Sequence, residues 1–350
     1  MKAMILAAGM GTRLRPLTNL VPKPMVQLAG RPCMEHTIRL LRKHNISETV
    51  VNLHYKPQLI KKYFGSGSQF GVKMQYSKED TLMGTAGGFK KVQQFFNSDT
   101  ALIISGDGLT DIDIRDFYNF HKEKGCIATL ALKRVGNPQN YGVVKLNADS
   151  TIEMFQEKPE AKEAVSNLAN TGIYIFEPEI FDYIPANSFY DFGKQLFPEF
   201  VQKGIEMAGY LMEGYWCDIG DLDIYRDAHY DVLMDRVNIE VPGRMFPGNI
   251  WLGSNTVIHP ETRIIGPVII GDNCGIEKGV QIYGPSVLGE NNAIKENAVI
   301  KRSILWDNVC VDRGAFVMDS IAGTQSQVKK DEYLEKAVVE GQEVPTYKFA

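Results

Sequence analysis

The chain has 350 residues, 44% of them hydrophobic, and a formal net charge of −4. This length gives room for two domains, and the hydrophobic content is ordinary for a soluble protein. The charge balance argues against a broad basic surface for nucleic acid, and no apolar run approaches the roughly 18 residues of a membrane span. We therefore expect neither nucleic acid nor a membrane as a partner, and any anion site must be local.

The start of the chain and its cysteines indicate a cytoplasmic protein. A strand begins within the first residues, without the pattern of a signal peptide. The cysteines are scattered and lack C-x-x-C spacing: Cys33, Cys126, Cys217, Cys274 and Cys310. Free thiols of this kind are typical of a reducing compartment.

The first predicted element is a buried strand over residues 4–8, and the loop after it is rich in glycine and positive charge. The loop carries glycines and cationic side chains at Gly9, Gly11, Arg13, Arg15 and Lys23. Glycines after a strand let backbone N–H groups approach a phosphate closely. The spacing matches neither the P-loop nor the G-x-G-x-x-G dinucleotide fingerprint. The pattern predicts a loop that holds a polyphosphate.

Residues 1–235 alternate strand and helix signals. Residues 49–53 and 101–105 are short apolar runs. Helical spacing appears before the first run at Met34, Ile38 and Leu41, and between the two runs at Phe89, Val92 and Phe96. This alternation predicts a Rossmann-like α/β domain, a mostly parallel sheet with helices on both faces. Ligands of such sheets bind at the carboxyl ends of the strands. The opening loop, Asp107 and Asp218 follow strand-like runs, so we expect them to meet at one rim.

The hydrophobic period changes to six in the second part of the chain. Aliphatic residues recur at every sixth position from Leu252 to Ile300, and Trp306 continues the series. A slip of one residue follows Ser303, after which Leu305 takes up the period. A six-residue repeat predicts a β-helix with three hexads per coil, and an antiparallel sandwich would show a period of two.

We assign four segments on this basis. Residues 1–235 form the catalytic domain, residues 236–249 a linker, residues 250–322 the β-helix and residues 323–350 a C-terminal tail. The tail is charged, and we predict a short helix around residues 331–339 that caps the open coil. Capping matters because an exposed coil edge would pair with another chain.

Several short motifs resemble those of the sugar-1-phosphate nucleotidyltransferases, the NDP-sugar pyrophosphorylases. The opening G-M-G-T-R, with Lys23-Pro24 after it, resembles the family signature. Further motifs follow in the family's order: residues 79–88 (E-D-T-L-M-G-T-A-G-G), Gly106-Asp107, residues 141–144 (Y-G-V-V), residues 157–159 (E-K-P), residues 170–172 (N-T-G) and residues 216–220 (W-C-D-I-G). The resemblance covers nearly the whole chain. It is best for members with a left-handed β-helix, and among them for mannose-1-phosphate guanylyltransferases.

The resemblance implies nucleotidyl transfer, in which a sugar-1-phosphate oxygen attacks the α-phosphorus of an NTP and pyrophosphate leaves. A phosphate monoester with a second pKa of about 6 is mostly ionised at neutral pH, so no side-chain base is required. Catalysis then consists of positioning and charge neutralisation. GTP and mannose-1-phosphate are the favoured substrates, giving GDP-mannose. Glucose-1-phosphate with UTP or dTTP is the alternative, and a non-catalytic regulatory homologue or an acyltransferase β-helix are the other readings.

Two cationic and two acidic residues are the candidates for the chemistry. Arg13 has the planar fork that suits the β/γ-phosphates and pyrophosphate, and Lys23 is a point charge held between two prolines near the α-phosphate. Asp107 and Asp218 are the expected ligands of Mg²⁺, which prefers a few carboxylates together with phosphate oxygens and water. For Asp111 and Asp113 we prefer a plain role, capping a helix that begins near Ile114.

The remaining site residues are implied by the resemblance. The nucleotide-binding set is Leu6, Ala8, Gly9, Gly11, Thr12, Arg13, Gly84, Thr85, Gly87 and Asp107. The sugar-phosphate set is Gly142, Glu157, Lys158, Asn170 and Thr171, with Lys158 on the phosphate. Thr85 has helix capping as its alternative role, and Glu79 is either solvated or placed on a guanine edge. Trp216 either walls the sugar site or lies in the core. The β-helix is expected to form the contacts of a homo-oligomer.

Overall fold

A computed structural model describes residues 1–341 and the backbone of residues 343–348. The chain packs as two compact units. The first comprises Met1–Met10, Pro22–Pro24 and Met34–Asp218. The second comprises Gly11–Val21, Met25–Cys33 and the chain from Ile219 onward. None of the helices in the described residues is long and apolar enough to cross a membrane.

The first unit contains a nine-stranded sheet and a two-stranded ribbon within the described residues. Its strands are β1 (Lys2–Ala7), β2 (Glu48–Leu53), β3 (Lys73–Lys78), β4 (Ala101–Ser105), β5 (Gly108–Thr110), β6 (Ala128–Arg134), β7 (Gly142–Leu146), β8 (Ile152–Glu157), β9 (Leu168–Phe176), β10 (Met207–Leu211) and β11 (Trp216–Asp218). The ribbon pairs β5 with β11, and the other strands form the sheet.

The strand order explains how the loops of the first unit meet. The sheet runs β8-β7-β9-β4-β1-β2-β3, with β6 beside β9 and β10 beside β6. Strands β4, β1, β2 and β3 are parallel, as are β6 and β10, whereas β9 is antiparallel to β4, β6 and β7. Leu6 of β1 lies opposite Ser105 of β4. The residues that follow these two strands therefore emerge side by side.

Helices flank the sheet, as the alternating pattern predicted, and the α/β fold is confirmed. They are α1 (Cys33–Lys43), α2 (Pro57–Phe64), α3 (Gly84–Lys91), α4 (Gln93–Phe96), α5 (Ile114–Lys124) and α6 (Phe197–Lys203). Phe89 of α3 packs at 4.4 Å from Phe181 and at 5.1 Å from Phe96, measured between ring centroids. Each such buried side chain stabilises the fold by about 1.5–3 kcal/mol, so the aromatic cluster anchors α3 firmly.

The second unit is a parallel β-helix preceded by helix α7 (Leu222–Leu233). Three stacks of short parallel strands form its faces. The first stack is Ile250–Leu252, Val268–Ile270, Ser286–Leu288, Ile304–Leu305, Ile321–Ala322 and Ala337–Glu340. The second is Val257–Ile258, Gly275–Ile276, Ala293–Ile294, Cys310–Val311 and Gln327–Val328. The third is Arg263–Ile265, Gln281–Tyr283, Val299–Lys301, Phe316–Met318 and Tyr333–Glu335.

A repeated corner sets the length of each coil. Asn255, Asn273, Asn291 and Asn308 all adopt the left-handed backbone region, with φ of 57, 57, 56 and 60°. Asparagine tolerates this region better than most residues. These corners are 18, 18 and then 17 residues apart, so the coils after Asn291 are one residue shorter than those before it. This shortening is the physical cause of the slip in the six-residue period.

The shortening corrects the position expected for Trp306. Leu305, opposite Leu288 in the first stack, is buried and takes the inward position. Trp306 therefore does not continue the inward series. It stands at the corner that Gly289 occupies in the preceding coil, because both residues directly follow a strand of the first stack.

Strands replace the predicted tail and interrupt the predicted linker. Tyr333–Glu335 and Ala337–Glu340 are strands of a further coil, so the helix predicted over residues 331–339 is wrong. Leu334 and Val339 are buried because they repeat the 17-residue spacing after Val317 and Ala322. Arg244–Phe246 within residues 236–249 is a strand antiparallel to Ile250–Leu252, and Glu343–Lys348 pairs in the same way with Ala337–Glu340.

Candidate active site

The first unit brings one cation and two carboxylates together. The Nζ atom of Lys23 lies 2.7 Å from Oδ2 of Asp107 and 3.6 Å from Oδ1 of Asp218. The Lys23 side chain is 10% exposed, whereas that of Asp218 is 40% exposed. The two aspartates, 111 positions apart in the sequence, therefore converge on one cationic group, as the sequence led us to expect.

The ribbon explains this convergence. Asp218 ends β11 and lies opposite Gly108, the residue directly after Asp107. The carboxylate of Asp107 also accepts a hydrogen bond from the hydroxyl of Ser105. Gly106 donates its N–H to the carbonyl of Leu6 at 2.9 Å, and a Cβ at Gly106 would lie only 2.9 Å from Cγ2 of Ile5. Glycine is therefore needed where β1 and β4 approach each other.

Asp111 and Asp113 have different roles. Asp113 caps α5 and accepts hydrogen bonds from the N–H groups of Arg115 and Asp116, as expected. Oδ1 of Asp111 instead accepts the N–H of Tyr215 at 2.6 Å. The capping role predicted for Asp111 is therefore wrong. Its carboxylate fastens the chain just before β11 and so helps to place Asp218.

Asp107 and Asp218 fit a divalent cation. Their oxygens already face a single ammonium group, and carboxylates are ligands that Mg²⁺ prefers. Among the described residues there is no cluster of three or more His, Cys, Asp or Glu side chains that could hold a metal by itself. A metal at this pair would therefore complete its coordination with phosphate oxygens and water.

Glu157 lies in a cradle made by two glycines. A Cβ at Gly142 would lie 2.9 Å from Oε2 of Glu157, and a Cβ at Gly193 would lie 2.6 Å from the same oxygen. Burial raises the pKa of the Glu157 carboxyl, and the neighbouring Lys158 opposes this shift. Hydrogen bonds from hydroxyl groups would stabilise the charged form of this half-buried carboxylate, so the site suits a polyhydroxylated ligand.

The other residues of the predicted sugar site are partly engaged within the protein. Asn170 donates from Nδ2 to the hydroxyl of Tyr174 at 2.9 Å. Thr171 is buried, and its hydroxyl donates to the carbonyl of Ala131 at 2.7 Å. This hydrogen bond engages the hydroxyl proton of Thr171 within the protein. Trp216 is half-buried, and its Nε1–H donates to the carbonyl of Thr171 at 3.0 Å.

Close packing explains two glycines of the G-T-A-G-G motif, which forms the start of α3. Gly84 has φ +73°, and a Cβ there would lie 2.5 Å from the carbonyl oxygen of Tyr190. A Cβ at Gly87 would lie 2.6 Å from the carbonyl oxygen of Ser188. The hydroxyl of Thr85 donates to Oδ2 of Asp191 at 2.9 Å, and Met83 holds the cap position. The capping role suggested for Thr85 is therefore wrong.

A buried Asn–Glu pair at the end of β1 was missed from the sequence. Asn52 accepts the N–H of Ala7 at 2.8 Å and donates to Oε1 of Glu79, also at 2.8 Å. Glu79, 2% exposed, further accepts the N–H of Met83 at 3.1 Å. Glu79 is thus neither solvated nor open to a base. The available signal was Asn52 itself, a polar residue between the apolar Val51 and Leu53 of β2.

The opening loop is shared between the two units. Gly9 belongs to the first unit, and a Cβ built there would meet no atom within 4 Å. Gly11, Thr12 and Arg13 belong to the second unit. Gly11 has φ +61°. The guanidinium of Arg13 would lie 3.2 Å from a Cβ at Gly220. Of the predicted nucleotide-binding residues before Gly9, Leu6 lies near the end of β1 and Ala8 directly follows that strand.

Comparisons with known proteins identify both parts of the chain. The sequence profile of the family described as "Nucleotidyl transferase" matches residues 2–235. A second profile, described as "GMPPB C-terminal domain", matches residues 264–348. The first match alone covers more than half of the chain.

Similar proteins agree with these profiles. A UTP–glucose-1-phosphate uridylyltransferase of Synechocystis sp. is 40% identical over 338 residues, which cover 92% of this chain and 87% of that protein. A mannose-1-phosphate guanyltransferase of Candida albicans is 33% identical over 352 residues, which cover 98% and 92%. The crystal structure of a candidate glucose-1-phosphate thymidylyltransferase from Bacillus anthracis, in complex with sucrose, has a TM-score of 0.59 at 26% identity and covers 66% of this chain and 94% of its own. The chain therefore belongs to the sugar-1-phosphate nucleotidyltransferase family.

Proposed function

We propose that this sugar-1-phosphate nucleotidyltransferase uses GTP and mannose-1-phosphate, and so makes GDP-mannose and pyrophosphate. The match of residues 264–348 to the GMPPB C-terminal domain, together with the guanyltransferase relatives, supports this choice. A second candidate is UTP with glucose-1-phosphate, supported by the Synechocystis relative at 40% identity. A non-catalytic regulator is disfavoured because Arg13, Lys23, Asp107 and Asp218 are all present.

The convergence of Lys23, Asp107 and Asp218 carries the proposal for the chemistry. The attacking phosphate oxygen is already ionised, so the reaction needs its negative charges neutralised and its two anions aligned. Lys23 is nearly buried and held by Asp107, so its ammonium is positioned before a substrate arrives. We propose that it faces the α-phosphate. No side-chain base takes part.

Members of this family generally use a divalent metal, and we propose Mg²⁺ here. Asp107 and Asp218 are the residues that would hold it. When bound, the metal supplies Lewis-acid stabilisation of charge on phosphate oxygens. The two aspartates also have a role that does not depend on the metal, because they form ion pairs that hold the Lys23 ammonium in place.

The remaining contacts are assigned by residue type and by position. We propose that Arg13 and the loop residues Gly9, Gly11 and Thr12 bind the β/γ-phosphates through guanidinium and backbone N–H groups. Lys158, directly after Glu157, is proposed to bind the phosphate of the sugar. The Glu157 carboxylate in its glycine cradle is proposed to accept hydrogen bonds from sugar hydroxyls.

A substrate matrix tests the function. Pyrophosphate release is measured for four NTPs against mannose-1-phosphate and glucose-1-phosphate, with and without Mg²⁺. We expect the largest kcat/KM for GTP with mannose-1-phosphate, and a strict metal requirement. A largest value for UTP or dTTP with glucose-1-phosphate would establish the alternative. Absence of turnover with every substrate pair would contradict the proposal that the protein catalyses this reaction.

We also propose a cytoplasmic homo-oligomer assembled through the β-helix. Tyr333 is 60% exposed and stacks on Phe316 at 5.0 Å between ring centroids, so the third stack carries an aromatic outer face. We expect Tyr333→Lys to lower the mass measured by light scattering, because a charge at an apolar contact opposes association. Phe189→Lys is the matched control, since Phe189 is 57% exposed in the first unit. An unchanged mass for Tyr333→Lys would contradict assembly through this face.

A further inference from the structure

A short hairpin directly follows Lys23 in the chain. Lys23 lies in the single 3-10 turn Lys23–Met25, and Gln27–Leu28 then pairs antiparallel with Arg31–Pro32. Ala29 and Gly30 form the tip with φ of 49 and 81°. The hairpin belongs to the second unit, together with α7 and the β-helix.

Helix α7 holds this hairpin through its backbone. The carbonyl oxygen of Gln27 accepts the hydroxyl of Tyr225 at 2.5 Å and Nε2 of His229 at 3.1 Å. The N–H of Ala29 donates to Nδ1 of His229 at 3.3 Å. Nδ1 is therefore the acceptor, which leaves the ring proton on Nε2 for Gln27. Tyr225 and His229 are fully buried, so these hydrogen bonds are shielded from water.

The β-helix completes the arrangement. The Nε1–H of Trp306 donates to the hydroxyl of Tyr225 at 2.8 Å, and the side-chain amide of Gln27 donates to Oδ2 of Asp307 at 3.3 Å. Trp306 is 3% exposed. Gly271 and Gly289 follow the corresponding strands of the two preceding coils. In the coil that contacts the hairpin, Trp306 thus stands where the preceding coils have glycine, and its side chain supplies a hydrogen-bond donor.

We propose that Trp306, Tyr225 and Gln27, here called the hairpin anchor, are positioning residues for Lys23. Gln27 is four residues after Lys23, and Pro24 stiffens the intervening turn, so a displacement of the hairpin is passed to the lysine. The anchor makes the β-helix part of the machinery that holds the catalytic ammonium, in addition to any role in assembly. This inference rests on the proposed function of Lys23.

The test compares two tyrosines on the same helix. Tyr225→Phe removes the hydroxyl from the anchor with no change in ring volume, and Trp306→Phe removes its donor. Tyr230→Phe is the matched control, because the Tyr230 hydroxyl also donates to the β-helix, to the carbonyl of Arg302 at 2.7 Å, without contacting the hairpin. We expect kcat to fall by about tenfold in both anchor variants, since small misplacements of a catalytic group are costly, with KM for NTP nearly unchanged. Tyr230→Phe should keep the parental kcat.

Two further readouts separate positioning from general stability. Amide hydrogen exchange should accelerate across residues 25–33 in Tyr225→Phe and not in Tyr230→Phe. In a Lys23→Arg background, Tyr225→Phe should have little further effect on kcat, because both changes act on the same group. Unchanged exchange, an unchanged kcat, or fully additive effects would each overturn the proposal. If the unmodified protein turns over no substrate pair, the proposed function fails, whereas the exchange comparison still decides whether the anchor holds the hairpin.

Discussion

Asp107→Asn and Asp218→Asn should each lower kcat by about 10²–10³-fold, the cost typical of removing one charged or polar contact to a developing phosphate charge. Each variant keeps the size of the side chain and removes one of the two charges that face Lys23. The effect has two sources, a weaker metal site and a less firmly held ammonium. Steady-state assays at saturating and limiting Mg²⁺ distinguish them, because only the metal component is relieved by more Mg²⁺.

Asp113→Asn is the control for this pair. Asp113 caps α5 through hydrogen bonds to two backbone N–H groups, and asparagine is an equally good cap. We expect its kcat to remain within a factor of about two, as for a neutral surface change. Near-normal rates for both Asp107→Asn and Asp218→Asn, with the fold intact by circular dichroism, would show that the metal assignment is wrong.

Gly142→Ala and Gly193→Ala should raise KM for the sugar-1-phosphate by tenfold or more, an effect of about 1.4 kcal/mol. The added Cβ would lie 2.9 or 2.6 Å from Oε2 of Glu157, so the carboxylate must leave its cradle. KM for the NTP should change little if Glu157 serves the sugar. Gly136→Ala is the matched control, since a Cβ there meets no atom within 4 Å. Equal increases in KM for both substrates would contradict the assignment of Glu157 to the sugar.

The pH dependence of sugar binding gives an independent check on Glu157. Burial raises the pKa of its carboxyl, so the carboxylate is lost at a higher pH than in an exposed glutamate. We expect KM for the sugar-1-phosphate to rise as the pH is lowered from neutral through this raised pKa. In Glu157→Gln the part of that rise caused by the carboxyl should be absent, leaving only the part caused by protonation of the substrate phosphate, whose second pKa is about 6. The free energy of unfolding depends on pH in the opposite sense to sugar binding. A carboxyl whose pKa is raised in the folded state stabilises the folded protein at low pH, and this contribution is lost as the pH rises through that pKa.

Local patterns in the sequence were sufficient to predict most of the fold and the class of reaction. The alternation of short apolar strands with helical spacings is enough to predict a layered α/β unit, since each pattern has one way to bury its apolar face. The period of six is equally direct, because every coil of a β-helix repeats the same inward positions. The motif order around Gly9, Asp107 and Glu157 was sufficient for the family.

The tertiary structure decided what depends on distant partners. Asp111 was assigned to a cap, and Thr85 was given capping as an alternative role, because sequence shows only near neighbours. Their observed partners, Tyr215 and Asp191, are more than 100 residues away. Glu79, which directly follows β3, is buried and accepts a hydrogen bond from Asn52 of the adjacent strand β2. The coil shortened by one residue moved Trp306 from the inward series to the hairpin anchor. Sequence determined which residues could carry the chemistry through their type and spacing, and only folding could decide which of them meet, because contact depends on strand order and coil length.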